Sequence, residues 1–258
     1  MMTELAIKSG TRKEPEVSTL PEVGRLLVVV PAYNEGPRLE TVLRELRRKR
    51  PGVDVLVVDD GSTDDTESRA LAAGARVARH PFNLGYGAAL ETGYRFAWQR
   101  GYDLLVQLDG DGQHDPVFID ELLAPIQEAR ADVVVGSRFL ASSSYRPSWA
   151  RRIGSALFGW LASSLTGRPI TDPTSGYWAM NRKAVSALVG GVLPHDYPDA
   201  DILIGLHYAG LRLVEVAVCM SSAEGKRSMH AGLRPVYYVF KMLLSVLLTV
   251  LGRRPQSV

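Results

Sequence analysis

Short apolar runs alternate along the chain with longer stretches whose apolar residues recur at helical spacing. The runs predict strands at residues 26–30, 53–58, 75–78, 104–108 and 132–135. The stretches between them predict helices over residues 37–50, 63–73, 87–100 and 116–130. Continuous apolar strands that alternate with amphipathic helices are typical of an α/β fold with a mostly parallel sheet covered on both faces.

A polar segment follows each predicted strand. These segments are residues 31–35, 59–64, 83–89, 109–114 and 136–138. Each one taken alone is explained by a turn and a helix cap. Because the carboxyl ends of parallel strands meet at one edge of a sheet, where ligands bind, we expect the five segments to form one site.

Asp109-Gly110-Asp111 is the most informative of these segments. It places two carboxylates two residues apart directly after an apolar strand. Hard oxygen ligands suit Mg²⁺ or Mn²⁺, which water and substrate phosphates usually complete. The motif by itself also fits a simple turn. We interpret the nearby His114, and also His80, as structural residues, because hard cations prefer oxygen.

Composition narrows the classes of protein. The 258 residues suffice for one sizeable α/β domain with a helical appendage. The net charge of +2 implies no strong field for nucleic acid. The single Cys219 cannot form an intramolecular disulfide, which favours a reducing compartment. We expect a disordered tail over residues 1–22, an α/β domain over 23–230 and a C-terminal helix over 231–258.

The C-terminal segment, residues 236–251, is strongly apolar. Lys241, Ser245 and Thr249 recur in it every four residues, so they form a narrow polar stripe on a helix. A helix of this length spans about 24 Å, which is short of a hydrocarbon core of about 30 Å. We interpret it as a helix in or against a membrane surface. A packing or oligomer helix stays open as the alternative.

Taken in order, VVPAYNE, VVDDGST, NLGYGAA, LDGDGQH, GSR and DPTSGY resemble the family 2 glycosyltransferases with the GT-A fold. The likeness is greatest to the branch of polyprenyl-phosphate sugar synthases, such as the dolichyl-phosphate mannose synthases. It extends from about Leu26 to Met229. It implies a nucleotide-sugar donor, either GDP-mannose or UDP-glucose, with Mg²⁺ or Mn²⁺ and inversion at the anomeric carbon. The implied acceptor is a polyprenyl phosphate at the cytoplasmic face of a membrane.

The resemblance also implies roles for individual residues. The metal-facing residues are Asp109, Asp111 and Gln113. Pro31 and Tyr33 shape the base pocket, whereas Glu35 and Asp60 meet the ribose and base. The further donor-binding residues are Asn83, Gly87, Gly110, Asp172 and Arg227, with Asp172 on a sugar-side loop and Arg227 on a lid.

The acceptor phosphate is assigned by the same resemblance to Arg138, Arg151 and Ser155. The planar guanidinium of arginine suits bidentate phosphate binding. The implied catalytic residues are Asp111, Arg138 and Asp201. Asp201, or its neighbour Asp199, would serve as a base only for a hydroxyl acceptor. A transferase to hydroxyl acceptors and a non-catalytic nucleotide-sugar-binding module therefore stay open, as do a homo-oligomer and a membrane-protein partner.

Overall fold

The computed structural model describes residues 7–9, 24–140, 149–192, 200–220 and 234–251. Within these ranges one sheet has the strands β1 Ile7–Ser9, β2 Leu26–Ala32, β3 Asp54–Asp59, β4 Arg76–Arg79, β5 Leu104–Gln107, β6 Val133–Ser137, β7 Trp178–Asn181 and β8 Leu213–Ala217. Its helices are α1 Gly36–Lys49, α2 Thr66–Ala72, α3 Tyr86–Gln99, α4 Ile119–Gln127, α5 Trp149–Thr166, α6 Arg182–Ala187, α7 Ala200–Tyr208 and α8 Arg234–Leu251. The α/β fold predicted from the apolar pattern is confirmed.

The strand order across the sheet is β1-β4-β3-β2-β5-β7-β6-β8. Strand β2 pairs in parallel with β3 and β5, β3 with β4, and β6 with β8. Only β1 and β7 run antiparallel to their neighbours within the described residues. The five predicted strands therefore all end at the same edge of the sheet, which we call the carboxyl rim.

Alternate residues of the central strands enter two separate cores. Leu27 and Val29 of β2 pack on one face with α3, α5, α6, α7 and α8. Val28 and Val30 pack on the other face with α1, α2 and α4. This double burial explains why the strands are continuously apolar rather than alternating.

Helix starts carry the expected local signals. Pro37 lies in the first turn of α1. The Asp115 carboxylate accepts the Val117 N–H at a 3₁₀ turn, Pro116–Phe118, that leads into α4. The first helical turn tolerates proline because the N–H groups there have no intrahelical acceptor, so a residue without an N–H loses no hydrogen bond. These signals place α1 and α4 directly after a rim segment.

Three strands differ from the sequence-based prediction. Strand β8 was not predicted, because the charged Glu215 interrupts its apolar run. Strand β7, which pairs with β5 and β6, was not predicted, because its four residues are too few to show a strand pattern in the sequence. Strand β1 lies within the expected disordered tail. The rest of residues 1–22 lies outside the described residues. No helix in the described part of the chain is long and apolar enough to cross a membrane.

Candidate active site

Asp109 stands at the carboxyl rim immediately beyond β5. Its backbone N–H donates to His114 Nδ1 at 2.9 Å, so the neutral imidazole carries its proton on Nε2. That nitrogen lies 3.7 Å from Asp109 Oδ2. Burial lowers the pKa of His114, and its ring stacks on Tyr177. The interpretation of His114 as a loop-supporting residue is confirmed.

Asp111 and Gln113 form a tight local pair. The Gln113 backbone N–H donates to Asp111 Oδ1 at 3.1 Å, and its side-chain amide donates to Oδ2 at 2.5 Å. Gln113 thus turns its nitrogen toward the carboxylate. This contact orients Asp111, while a metal contact through the Gln113 oxygen stays a prediction.

The donor set fits a divalent cation that is completed by substrate. Among the described residues no three His, Cys, Asp or Glu side chains are grouped as a metal cage. Asp109 and Asp111 offer two carboxylates at the rim, and Mg²⁺ in particular is commonly held by one or two carboxylates plus phosphate oxygens and water. A Cβ on Gly110 would lie 3.3 Å from the Pro31 carbonyl, so the ends of β2 and β5 abut here.

Asp60 fixes the loop that follows β4. Its Oδ1 accepts the Leu84 N–H at 2.9 Å and lies 2.7 Å from His80 Nδ1, and its Oδ2 accepts the Gly85 N–H at 2.8 Å. Gly85 has φ +101°, a conformation that favours glycine. Because His80 also contacts Thr92, its structural role is confirmed. The predicted contact of Asp60 with the nucleotide stays a prediction.

The loop after β2 is locked to the loop after β3. Asn34 adopts φ +54°, and its side-chain oxygen accepts the Thr63 N–H at 2.8 Å. The Glu35 N–H donates to Thr66 Oγ1 at 3.0 Å. Tyr33 keeps 45% of its surface exposed, which suits a wall of a nucleotide pocket.

Arg138 and Asp172, predicted for separate ligands, bind each other. Arg138 Nε donates to Asp172 Oδ2 at 2.7 Å, and Nη2 donates to Oδ1 at 2.6 Å. The backbone N–H of Arg138 adds a third bond at 3.0 Å. Asp172 is fully buried, so the guanidinium compensates its charge. The bidentate pair fixes the plane of Arg138 at the rim.

Glu215 of β8 holds the same loop and was missed by the sequence reasoning. Its carboxylate accepts the backbone N–H groups of Thr171 and Asp172 at 2.9 and 2.8 Å, and the Thr171 hydroxyl at 2.6 Å. Burial raises the pKa of Glu215. The available signal was one acidic residue within the otherwise apolar strand LVEVA.

The remaining predicted residues are dispersed. Asp201 on α7 accepts the Ile202 N–H and the hydroxyl of Ser245 from α8, and it is buried. Ser155 is buried on α5, Gly87 is buried in the first turn of α3, and Asn83 is exposed in the preceding loop. The side chain of Arg151, together with Asp199 and Arg227, lies outside the described residues.

The chain matches the model of the family described as Glycosyl transferase family 2 over residues 27–189, so it belongs to that family. Its fold is the GT-A fold, as the motifs predicted. Membership favours an enzyme over the non-catalytic binding module.

Two relatives and one solved structure show the extent of the likeness. The chain is 34% identical to the polyprenol monophosphomannose synthase of Mycolicibacterium smegmatis over 188 residues, 70% of each protein. It is 32% identical to the undecaprenyl-phosphate mannosyltransferase of Micrococcus luteus over 221 residues, 81% of this chain and 89% of that protein. A structure of Mycobacterium tuberculosis glucosyl-3-phosphoglycerate synthase with Mn²⁺, UDP-glucose and phosphoglyceric acid has a TM-score of 0.64 at 25% identity, and the match covers 96% of this chain and 89% of that one.

Proposed function

We propose that this glycosyltransferase moves a hexose, mannose or glucose, from a nucleoside-diphosphate sugar to a polyprenyl phosphate, with Mg²⁺ or Mn²⁺ and inversion at the anomeric carbon. The observation that carries the acceptor class is the likeness to two mannosyltransferases whose names specify polyprenyl acceptors, over 70% and 81% of this chain. The donor class is supported by the carboxylate pair at the rim and by a solved relative that contains Mn²⁺ and UDP-glucose.

The donor would lie across the loops after β2, β3, β4 and β5. Asp109 and Asp111 would hold the cation, and Gln113 would orient Asp111. When bound, the cation supplies Lewis-acid stabilisation of the diphosphate leaving group. The nucleoside would be lined by Pro31, Tyr33, Glu35, Asp60, Asn83, Gly87 and Gly110.

The acceptor phosphate would be placed by Arg138, with Arg151 and Ser155 beyond it. A phosphate monoester carries about −1.5 to −2 charge near neutral pH and needs no strong base to attack. The protein must then place the nucleophile and screen like charges. The Arg138–Asp172 pair suits this task because both bidentate bonds fix the guanidinium plane.

The exposed face of α8 supports attachment to a bilayer. Its inner side carries the buried Val246 and the half-buried Ser245, whose hydroxyl donates to Asp201 of α7. The outer side consists of exposed leucines, Leu243, Leu244, Leu247, Leu248 and Leu251. Helix α8 contains no acidic residue. We propose that this leucine face lies in the cytoplasmic surface of the membrane that holds the lipid acceptor.

The first experiment is transfer of radiolabelled sugar from GDP-mannose and UDP-glucose to a short polyprenyl phosphate, with and without Mn²⁺ or Mg²⁺. We expect a lipid-linked product that requires the cation and is lost in Asp111→Asn, with folding checked by circular dichroism. The acceptor assignment fails if the protein binds a nucleotide sugar but forms no lipid product.

A second candidate is transfer to a hydroxyl acceptor with Asp201 as the base. It is favoured by the structural similarity to glucosyl-3-phosphoglycerate synthase, whose structure contains phosphoglyceric acid. Against it, both Asp201 oxygens accept hydrogen bonds from α7 and α8. Asp201→Asn should abolish turnover only if Asp201 is the base. Ser245→Ala is the matched control, because it removes the packing contact and keeps the carboxylate.

A further inference from the structure

A polar chain crosses the otherwise apolar layer between β5 and α3. Gln107 ends β5 after three apolar residues and is 2% exposed. The Tyr94 hydroxyl of α3 donates to its side-chain oxygen. The Gln107 amide donates to the Tyr86 hydroxyl oxygen at 3.2 Å, and Tyr86 donates to Asp109 Oδ1 at 2.8 Å. Four side chains thus connect the core to the rim.

The donor directions along this chain are determined by its end group. An ionised carboxylate only accepts, so the Tyr86 hydroxyl must donate to Asp109. The Tyr86 oxygen then accepts from the Gln107 amide, which leaves the Gln107 oxygen to accept from Tyr94. Burial, reinforced by the charge of Asp109, keeps the pKa of Tyr86 well above its ordinary value. One proton arrangement satisfies the whole chain.

The same amide reaches the loop that contains Asp172. Gln107 Nε2 donates to the Gly176 carbonyl at 3.0 Å. A Cβ on Gly176 would lie 2.8 Å from Asp109 Oδ2 and 3.0 Å from the Tyr86 hydroxyl. The loop backbone therefore approaches Asp109 as closely as glycine permits. Asp109 is held by Tyr86 on one oxygen and is crowded by His114 and Gly176 on the other.

We propose that Tyr86 and Gln107 are positioning residues that orient the Asp109 carboxylate toward the cation and link it to the loop of the Arg138–Asp172 pair. The inference rests on the proposed function, in which Asp109 faces a divalent cation. Partners that orient a metal-binding group typically change metal affinity about 10- to 100-fold when they are removed. A purely structural hydrogen bond would change stability without changing that affinity.

The test is direct binding of Mn²⁺, measured by electron paramagnetic resonance with UDP or with GDP present. Tyr86→Phe should weaken Mn²⁺ binding about tenfold or more. Tyr102→Phe is the matched control, because Tyr102 is also buried and donates to a carboxylate, Asp54, at 2.9 Å. Asp54 begins β3, at the edge of the sheet opposite the rim. The control should bind Mn²⁺ as the wild type does.

Gln107→Leu extends the test to the residue that does not touch Asp109. It should also weaken Mn²⁺ binding, because Tyr86 and Gly176 lose their common donor. Wild-type affinity in Tyr86→Phe, or equal losses in Tyr86→Phe and Tyr102→Phe, would overturn the inference and leave the proposed function intact. If the wild type itself binds no Mn²⁺ with either nucleotide, the metal part of the proposed function fails and the positioning role fails with it.

Discussion

At the scale of single residues, three rim carboxylates are stabilised by different partners. Asp172 is fully buried and receives the guanidinium of Arg138, whereas Asp60 receives backbone N–H groups and His80. Asp109 keeps 27% of its side chain exposed and is held by Tyr86. A buried charge must be compensated locally. Asp60 and Asp172 therefore anchor loops, while Asp109 faces the open rim.

Gly176→Ala tests the close approach at Asp109. The added methyl would lie 2.8 Å from Asp109 Oδ2, so either the loop or the carboxylate must shift. We expect sugar-transfer turnover to fall about tenfold or more, because small displacements at a reacting centre are costly. Gly190→Ala is the control, since a Cβ added at Gly190 would meet nothing within 4 Å. Equal activity in both variants would contradict the expectation.

Asp60→Asn tests the anchor of residues 83–85. Both Asp60 oxygens accept a backbone N–H, one from Leu84 and the other from Gly85. The amide nitrogen of the substituted asparagine would replace one of these acceptors with a donor, so two donors would face each other. A buried donor without an acceptor costs about 1–3 kcal/mol of folding free energy, so the loop should open locally. Hydrogen exchange at the Leu84 and Gly85 amides should accelerate, and the donor KM should rise. Unchanged exchange would show that the loop is held by other contacts.

At the scale of elements, antiparallel β7 decides the composition of the rim. It enters the sheet between β5 and β6, so its amino end meets their carboxyl ends. The loop that precedes it is pinned by Ser175 Oγ, which donates to the Gly136 carbonyl at 2.6 Å. Trp178 Nε1 donates back to the Ser175 carbonyl at 2.5 Å. These bonds bring Asp172 within reach of Arg138.

Asp132 connects β6, β7 and β8 at the edge of the sheet opposite the carboxyl rim. Its carboxylate accepts from Arg212, which precedes β8, and from Asn181 at the end of β7. The hydrogen bond from Arg212 holds the pKa of Asp132 below its usual range. A depressed folded-state pKa contributes stability above the unfolded pKa of about 3.9, and this contribution is lost as the pH falls through the folded pKa.

Asp132→Asn should therefore destabilise the protein at pH 7 and less so at acidic pH. We expect a loss of about 1–2 kcal/mol at pH 7, since Arg212 is half exposed and solvent weakens the pair. Urea unfolding at pH 7 and pH 3 measures the difference. Asp103→Asn, at an exposed carboxylate, is the control. A destabilisation of equal size at both pH values would contradict the assignment.

At the scale of the whole molecule, the two sides of the sheet are unequal. The α8 side ends in a row of exposed leucines, whereas the half-buried Ser245 of α8 donates to Asp201 of α7. A soluble surface helix normally has the reverse polarity. This arrangement favours an apolar environment outside the leucine face, and it assigns packing to the inner face of the same helix.

Leu244→Gln combined with Leu248→Gln should weaken binding to anionic lipid vesicles about tenfold or more, because each buried leucine contributes about 1.5–3 kcal/mol. Thermal stability should change little, since both side chains are exposed. Val117→Gln, at an exposed apolar residue on the other side of the sheet, should bind as the wild type does. Loss of a dimer instead of vesicle binding would assign the face to contacts between copies.

The five parallel strands β2 to β6, the helices between them and the rim segments were predictable from the chain. Apolar periodicity and turn residues act over a few neighbours, so a linear pattern records them. Parallel strands then share one edge, which is why motifs far apart in sequence were expected at one site. The family followed from the order of those motifs.

The partners of the rim residues were decided only by the tertiary structure. Arg138 and Asp172 are 34 residues apart, and Gln107 and Gly176 are 69 apart. No local pattern distinguishes a carboxylate that faces a ligand from one that anchors a loop, because the difference depends on which distant donors burial brings near. The contact of Ser245 in α8 has the same cause, because Ser245 meets Asp201 only once α7 and α8 have packed together.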